Sequence, residues 1–202
     1  MKIKMMALVA LLAGTGAISV EAAKARIDIN SNNKIELEAV CGPDGGHFNN
    51  IDWGDKEKQD FALFGETDNL SNDKWSTVSF KFLPLESGKV EIWLKGNYTK
   101  SDGKKFNDQN WVYFDDVKVE GATMINGDFE EEYFVNAEPM PKGWGLNPKA
   151  VFVKDKSKSA QGNNCVKVWH NCMCTQVINV EKGKEVTITV TVKGGETVLS
   201  TE

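Results

Sequence analysis

The run "WVYFDDVKVEGATMINGDFEEEYF" (residues 111–134) decides how the chain is to be read. Its first part, Trp111 to Glu120, has the aromatic and β-branched content of a strand and stops at Gly121-Ala122. It reads as the last strand of a β domain. Its second part, Asn126-Gly127-Asp128-Phe129-Glu130, reads as the opening of one. An ending therefore precedes a beginning, in a 202-residue chain with room for one β domain of ordinary size.

Working outward, apolar and polar residues alternate through most of the chain, as half-buried strands require. Ile35-Glu36-Leu37-Glu38-Ala39-Val40 alternates, as do Val78 to Phe82, Val90 to Lys95 and Val166 to Trp169. Val186 to Val192 is rich in β-branched residues. Turn-forming clusters stand between these runs, at Ser87-Gly88, Ser101-Asp102-Gly103, Asn163-Asn164 and Lys182-Gly183. The pattern predicts an all-β fold, an antiparallel β-sandwich. One connection, Gly42 to Lys74, is long and carries His47, Phe48, Trp53, Phe61 and Phe64. Its aromatic content predicts a packed loop, with Phe61 to Phe64 as an added short strand.

Residues 1–22 read as a signal peptide: Lys2 and Lys4, an apolar run from Met5 to Leu12, then small residues up to Val20-Glu21-Ala22. That apolar run is too short for a permanent membrane span. The expectation is a protein secreted or delivered to the periplasm, with no membrane insertion and residues 23–202 as one β-sandwich domain. Net charge is −5 with both signs interspersed, which gives no footprint for nucleic acid. The four cysteines, Cys41, Cys165, Cys172 and Cys174, would then meet an oxidising compartment. Either Cys41 pairs with one of the other three, or Cys165 pairs with Cys172 or Cys174 across a hairpin. Cys172 and Cys174 are too close in sequence to bridge each other easily. With His170 the three later cysteines could in principle hold a soft metal, but their spacing matches no zinc pattern.

Several segments together resemble the jelly-roll carbohydrate-binding modules of galactose-binding-like fold, the xylan- and glucan-binding types. "INGDFE" (125–130) is similar to their first strand, "PKGW" (141–144) to the turn after it, and "AQGNNCVKVW" (160–169) to their Gly-Asn turn and following strand. "TQVINVEKGKEVTITVTVKG" (175–194) is similar to the next pair. The later strands of the family resemble segments at the front of this chain: "ARIDINSNNKIELEAV", "DKWSTVSFKF" (73–82), "GKVEIWLKG" (88–96) and "VYFDDVKVEGA" (112–122). The resemblance thus implies a circularly permuted module. Residues 23–122 would supply the family's C-terminal half and 123–202 its N-terminal half, joined through Gly121-Ala122-Thr123. Chain ends that lie close together at a surface make such permutation tolerable. A monomer is expected, with a strand-exchanged homodimer or a fragment of a longer tandem protein as alternatives.

In the related modules a structural calcium sits where first and last strands meet. Carried over, its ligands would be Asp115, Asp128, Glu130, Gln161 and Asn164, with Gln161 standing where closer relatives have a carboxylate. Oxygen donors of these kinds suit calcium. The resemblance also makes Trp75 and Trp144 core residues and leaves Trp111 unassigned.

Sugar binding needs aromatic faces and polar side chains, and alternation nominates them. Val90, Ile92 and Leu94 should point inward, leaving Glu91, Trp93 and Lys95 outside. Val166 and Val168 should point inward, leaving Lys167 and Trp169 outside. Trp93 and Trp169 are therefore the expected platforms, with Glu91, Lys95 and Lys167 as polar contacts and Trp53 and His47 next in line. The alternative is that the long loop covers both tryptophans in a second small core. Neighbouring carboxylates such as Asp115-Asp116 would face opposite sides of a strand and could not flank a glycosidic bond. No nucleophile triad, phosphate loop or dinucleotide fingerprint is present. The sequence points to a non-catalytic binder of a glycan, or to an envelope protein that binds another protein through the same aromatic surface.

Overall fold

A strand needs a partner on each side, and here the front and back of the chain supply partners to each other. This follows from a computed structural model that describes residues 23–29, 35–40, 51–52, 70–84, 87–96, 108–147 and 149–199. The front half contributes β1 (Ala23–Ile29), β2 (Ile35–Val40), β3 (Ile51–Asp52), β4 (Ser76–Pro84), β5 (Gly88–Lys95) and β6 (Gln109–Glu120). The back half contributes β7 (Glu132–Val135), β8 (Glu138–Pro141), β9 (Gly145–Leu146), β10 (Val151–Lys154), β11 (Asn164–Val168), β12 (Met173–Val180) and β13 (Val186–Val198). Among the described residues there is no helix.

The first sheet has five strands in the order β2-β1-β5-β12-β9, and the second has six in the order β10-β11-β6-β13-β4-β3. Strands from the two halves meet in both sheets: in the first they join at one seam, where β5 pairs with β12, and in the second they interleave, with β6 between β11 and β13. All pairings are antiparallel except that β1 runs parallel to β5. The inner faces of both sheets meet in one core. Val90, Ile92, Leu94, Cys174 and Ile178 come from the first sheet, and Val112, Phe114, Val166, Val168, Ile188, Val190 and Val192 from the second. The fold is all-β, compatible with a β-sandwich.

Alternation names the inward residues of β5 and β11, because Val90, Ile92, Leu94, Val166 and Val168 are all fully buried. It fails at Trp169, which is 6% exposed rather than outside. β11 ends at Val168, and the chain then turns, with the Cys172 N–H donating to the Trp169 carbonyl. The ring is thereby carried into the core cluster instead of continuing the strand's parity. Trp144 is a core residue as expected, but Trp75 is half-buried and outside the core cluster.

Residues 125–130 differ from expectation as well: they form a turn, not a strand. Asn126 (φ 51) and Phe129 (φ 58) take left-handed backbone, which Asn tolerates better than most residues. The Asn126 amide donates to the carbonyls of Glu131 (2.7 Å) and Lys142 (2.9 Å), while its Oδ1 accepts from the Glu131 N–H (2.8 Å). Its carbonyl accepts from the Trp144 indole at 2.9 Å. Phe129 is thereby dropped into the core against Trp144, ring centroids 5.0 Å apart. The turn docks on β6 through the Val117 N–H, which donates to the Gly127 carbonyl at 2.8 Å.

Cys165, Cys172 and Cys174 are all buried free thiols, so none of them forms the disulfide that an oxidising compartment would allow. Cys41 lies outside the described residues, as do the signal segment, His47, Trp53 and the strand expected at residues 61–64. No helix among the described residues is long and apolar enough to cross a membrane.

Asn126→Ala removes three side-chain hydrogen bonds and puts Ala in left-handed backbone. It should lower unfolding free energy by about 2–4 kcal/mol in urea titrations, with Asn126→Gly recovering part of the loss.

Candidate functional site

Aromatic and charged side chains gather on the outer side of the second sheet, at the end where β6 begins. The register explains why. Tyr113 on β6 stands opposite Lys167 of β11 on one side and Lys193 of β13 on the other. Since Phe114 and Val112 point into the core, Tyr113 and its two neighbours point away from it. The Lys193 ammonium lies 4.9 Å from the Trp75 ring centre and 5.5 Å from that of Tyr113. Lys167 lies 4.5 Å above the ring of Trp111 and pairs with Glu196 at 2.6 Å. The Tyr113 hydroxyl also donates to Glu196, at 3.1 Å. Burial first, then the charge of Glu196, pushes the phenol up to about 12, so it remains a donor at any physiological pH.

Beside this cluster is a pocket of about 90 Å³, lined by Asn72, Asn110, Trp111, Gly194, Gly195 and Thr197 among others. It lies where β6 starts and β13 ends, and the two strands slip in register between Gly194 and Thr197. That irregularity opens the backbone. A Cβ at Gly194 would displace the Asn72 side chain from its present position. The Gly194 N–H donates to the Ser71 carbonyl at 2.9 Å, fixing the 70–75 segment across the strand. Thr197 donates to the Asn110 Oδ1 at 2.6 Å. Trp111, with Leu70 and Val112, thus supplies the apolar lining, and Asn72, Asn110 and Thr197 supply amide and hydroxyl groups. Amides and hydroxyls both donate and accept hydrogen bonds, so the pocket suits a polyhydroxylated ligand.

The residues expected to bind ligand are not assembled in one place. Glu91, Trp93 and Lys95 do project from the outer side of β5, each half-buried. Trp93 faces Thr175 of β12 in register, and the Trp93 indole nitrogen is buried. Lys167 belongs to the other sheet, and Trp169 is inside the protein, so Trp93 and Trp169 share no open face. Trp169 instead packs behind Trp111, centroids 6.4 Å apart, with no hydrogen-bond acceptor for its indole N–H among the described residues. Sequence reasoning passed over Tyr113, Lys193, Glu196, Asn72, Asn110 and Thr197, and set Trp75 aside as core. The signal available was the odd-numbered pair Trp111 and Tyr113 on one side of β6.

The expected calcium ligands do converge on the 160–164 turn, but as acceptors for N–H groups. Asp115, fully buried, accepts the N–H of Asp116 (2.7 Å), Ala160 (2.8 Å) and Gln161 (3.1 Å). Glu130 accepts the N–H of Asn163 (2.7 Å) and of Asn164 (2.8 Å) on one oxygen. The Gln161 amide donates to Asp116 and the Asn164 amide to the Phe129 carbonyl. Asp128 is exposed and accepts weakly from the Glu130 N–H at 3.4 Å. Gly162, at φ +60, sits where a Cβ would overlap the Glu130 carboxylate. Calcium needs six to eight oxygen ligands, and the oxygens of Asp115 and Glu130 are each engaged here by N–H donors of the turn. Among the described residues no group of three or more His, Cys, Asp or Glu side chains is placed to hold a metal.

No protein-family model, no curated protein and no solved structure matches the chain.

Two outcomes follow from the Asp115 turn. Burial, outweighing the N–H donors, raises the Asp115 carboxyl from 3.8 to about 6. The folded protein then keeps a proton that the unfolded chain releases, so this group's contribution to stability falls as pH rises from about 4 to about 6 and is constant above. Denaturant titrations across that window should show the slope in the wild type and lose it in Asp115→Asn. A chelator should leave the melting temperature unchanged, and a calcium-dependent rise would show that the turn holds metal after all.

Proposed function

We propose that this protein is an exported, non-catalytic carbohydrate-binding protein of jelly-roll, galactose-binding-like type, with the two halves of the module in permuted order. The interleaving of front and back strands in the second sheet, and their pairing at β5 and β12 in the first, support the permuted reading. So does the short link Gly121-Ala122-Thr123, where Thr123 bridges to Asn179 of β12 directly after β6 ends. The signal-like residues 1–22 support export.

The observation that carries the glycan reading is a pocket lined by Trp111 together with Asn72, Asn110 and Thr197. A pyranose presents an apolar face of C–H groups and a rim of hydroxyls. Stacking on an indole takes the first, and amide and hydroxyl side chains take the second. About 90 Å³ corresponds to roughly three water molecules. The pocket therefore admits the hydroxyl-bearing edge of a sugar, the rest of the ring lying over the aromatic surface outside.

A second reading, capture of another envelope protein, is favoured by one feature. The β7–β8 hairpin exposes Tyr133, Phe134 and Val135, with Phe134 at 64%. Single exposed apolar residues are ordinary, but three in succession on one strand of a hairpin are less so.

Retention on insoluble xylan, cellulose and β-glucan separates these. Wild type should be retained, and Trp111→Ala should reduce retention at least about tenfold, as loss of a stacking aromatic worth roughly 1.4 kcal/mol would. Phe134→Ser should have no effect. Loss with Trp93→Ala but not Trp111→Ala moves the site to the first sheet. Absence of retention on any glycan removes the carbohydrate reading.

A further inference from the structure

Resting on the carbohydrate reading above, we infer that this site selects acidic glycans, and that Lys193 is the residue that meets a uronic-acid carboxylate. The two lysines of the cluster are not equivalent. Lys167 is neutralised, since Glu196 lies 2.6 Å from its ammonium. Lys193 makes no ion pair or hydrogen bond among the described residues, although its ammonium is held over the faces of Trp75 and Tyr113. Around Tyr113, Lys167 and Lys193 stand with Glu196 and Asp155, and of the two lysines only Lys193 is left without a carboxylate partner among the described residues.

Position strengthens the case. Lys193 lies over the Tyr113 ring, against which the pocket-lining Gly195 packs, and Trp111 lines the pocket under the neighbouring lysine. A sugar edge bound against Asn72, Asn110 and Thr197 would extend its ring over the surface that carries Lys193. Two aromatic rings restrict where the ammonium can go, which lowers the entropy it loses on pairing. A lysine ammonium is a compact charge with three donors, well suited to a carboxylate carried on a pyranose ring. Glu196, already engaged by Lys167 and Tyr113, is not free to compete for Lys193.

The test compares binding to polygalacturonate, to its carboxyl-reduced neutral counterpart and to neutral xylan, by affinity electrophoresis at low and at moderate salt. Wild type should prefer the uronate polymer over its reduced form by about fivefold, the ratio given by an exposed ion pair of roughly 1 kcal/mol. Moderate salt should shrink that preference. Lys193→Gln should abolish it, bringing binding of the uronate polymer down to that of its reduced form, and Lys193→Arg should restore it. Equal binding of the charged and reduced polymers, or a preference that survives in Lys193→Gln, overturns the inference and leaves the carbohydrate reading standing. Failure of the wild type to bind any of the three polymers overturns both.

Discussion

A buried carboxylate organises this molecule. Asp115 sits in the middle of β6, wholly out of solvent, and three backbone N–H groups converge on it. β6 carries an extra residue at this point: Asp115 and Lys118 stand opposite Thr191 and Thr189, so Asp116 and Val117 together face one residue of β13. Asp116 absorbs the bulge with φ 47. The consequence is a change of parity. Phe114 and Val117 both point into the core, although three positions apart on a strand would ordinarily put them on opposite sides. The displaced Val117 N–H is then satisfied by Gly127, and through that bond the turn that buries Phe129 is anchored. Remove the bulge, and the centre of the core and the junction between the two halves lose their register together.

The same irregularity separates two regions of the sheet's outer side. Toward one end, the turn at 160–164 closes over Asp115 and Cys165, held by Asp115 and Glu130. Toward the other, the buried Tyr113 begins a strip of half-buried aromatic and charged groups that continues to the pocket at Trp111. Asp115 and Glu130 are therefore spent on the turn, while Asn72 and Asn110 line the pocket. The division accords with their energetics. Buried carboxylates must be hydrogen-bonded to persist, whereas amides at a pocket rim can exchange water for a ligand's hydroxyls at little cost.

How much of this was legible depended on whether a residue obeyed strand periodicity. Val90, Ile92, Leu94, Val166 and Val168 were readable, since each lies within a regular strand paired on both sides. Trp169 was not, because its position is set by where β11 stops, and nothing in Val168-Trp169-His170 announces that. The left-handed turn at Asn136 and Ala137 between β7 and β8 likewise lacks the Asn-Gly or Asp-Gly pair that marks such hairpins. The convergence of Asp115, Glu130, Gln161 and Asn164 was readable from resemblance, but its chemistry was not. Whether an oxygen meets a cation or an N–H depends on backbone orientation in the 160–164 turn. The cluster of Trp75, Tyr113 and Lys193 required the register between β6 and β13, which two slips in pairing conceal.

The three buried thiols give the molecule an internal record of its own opening. Cys165 lies beneath the turn that Asp115 and Glu130 hold, its sulfur 3.5 Å from the Lys158 carbonyl, while Cys174 is deep in the first sheet opposite Leu94. Desolvation raises both thiols, Cys165 to about 12, so neither reacts while covered. An alkylating reagent would reach Cys165 whenever the turn lifts, but Cys174 only when the two sheets part. The ratio of their labelling rates would read the energy of that local movement against the energy of the whole fold.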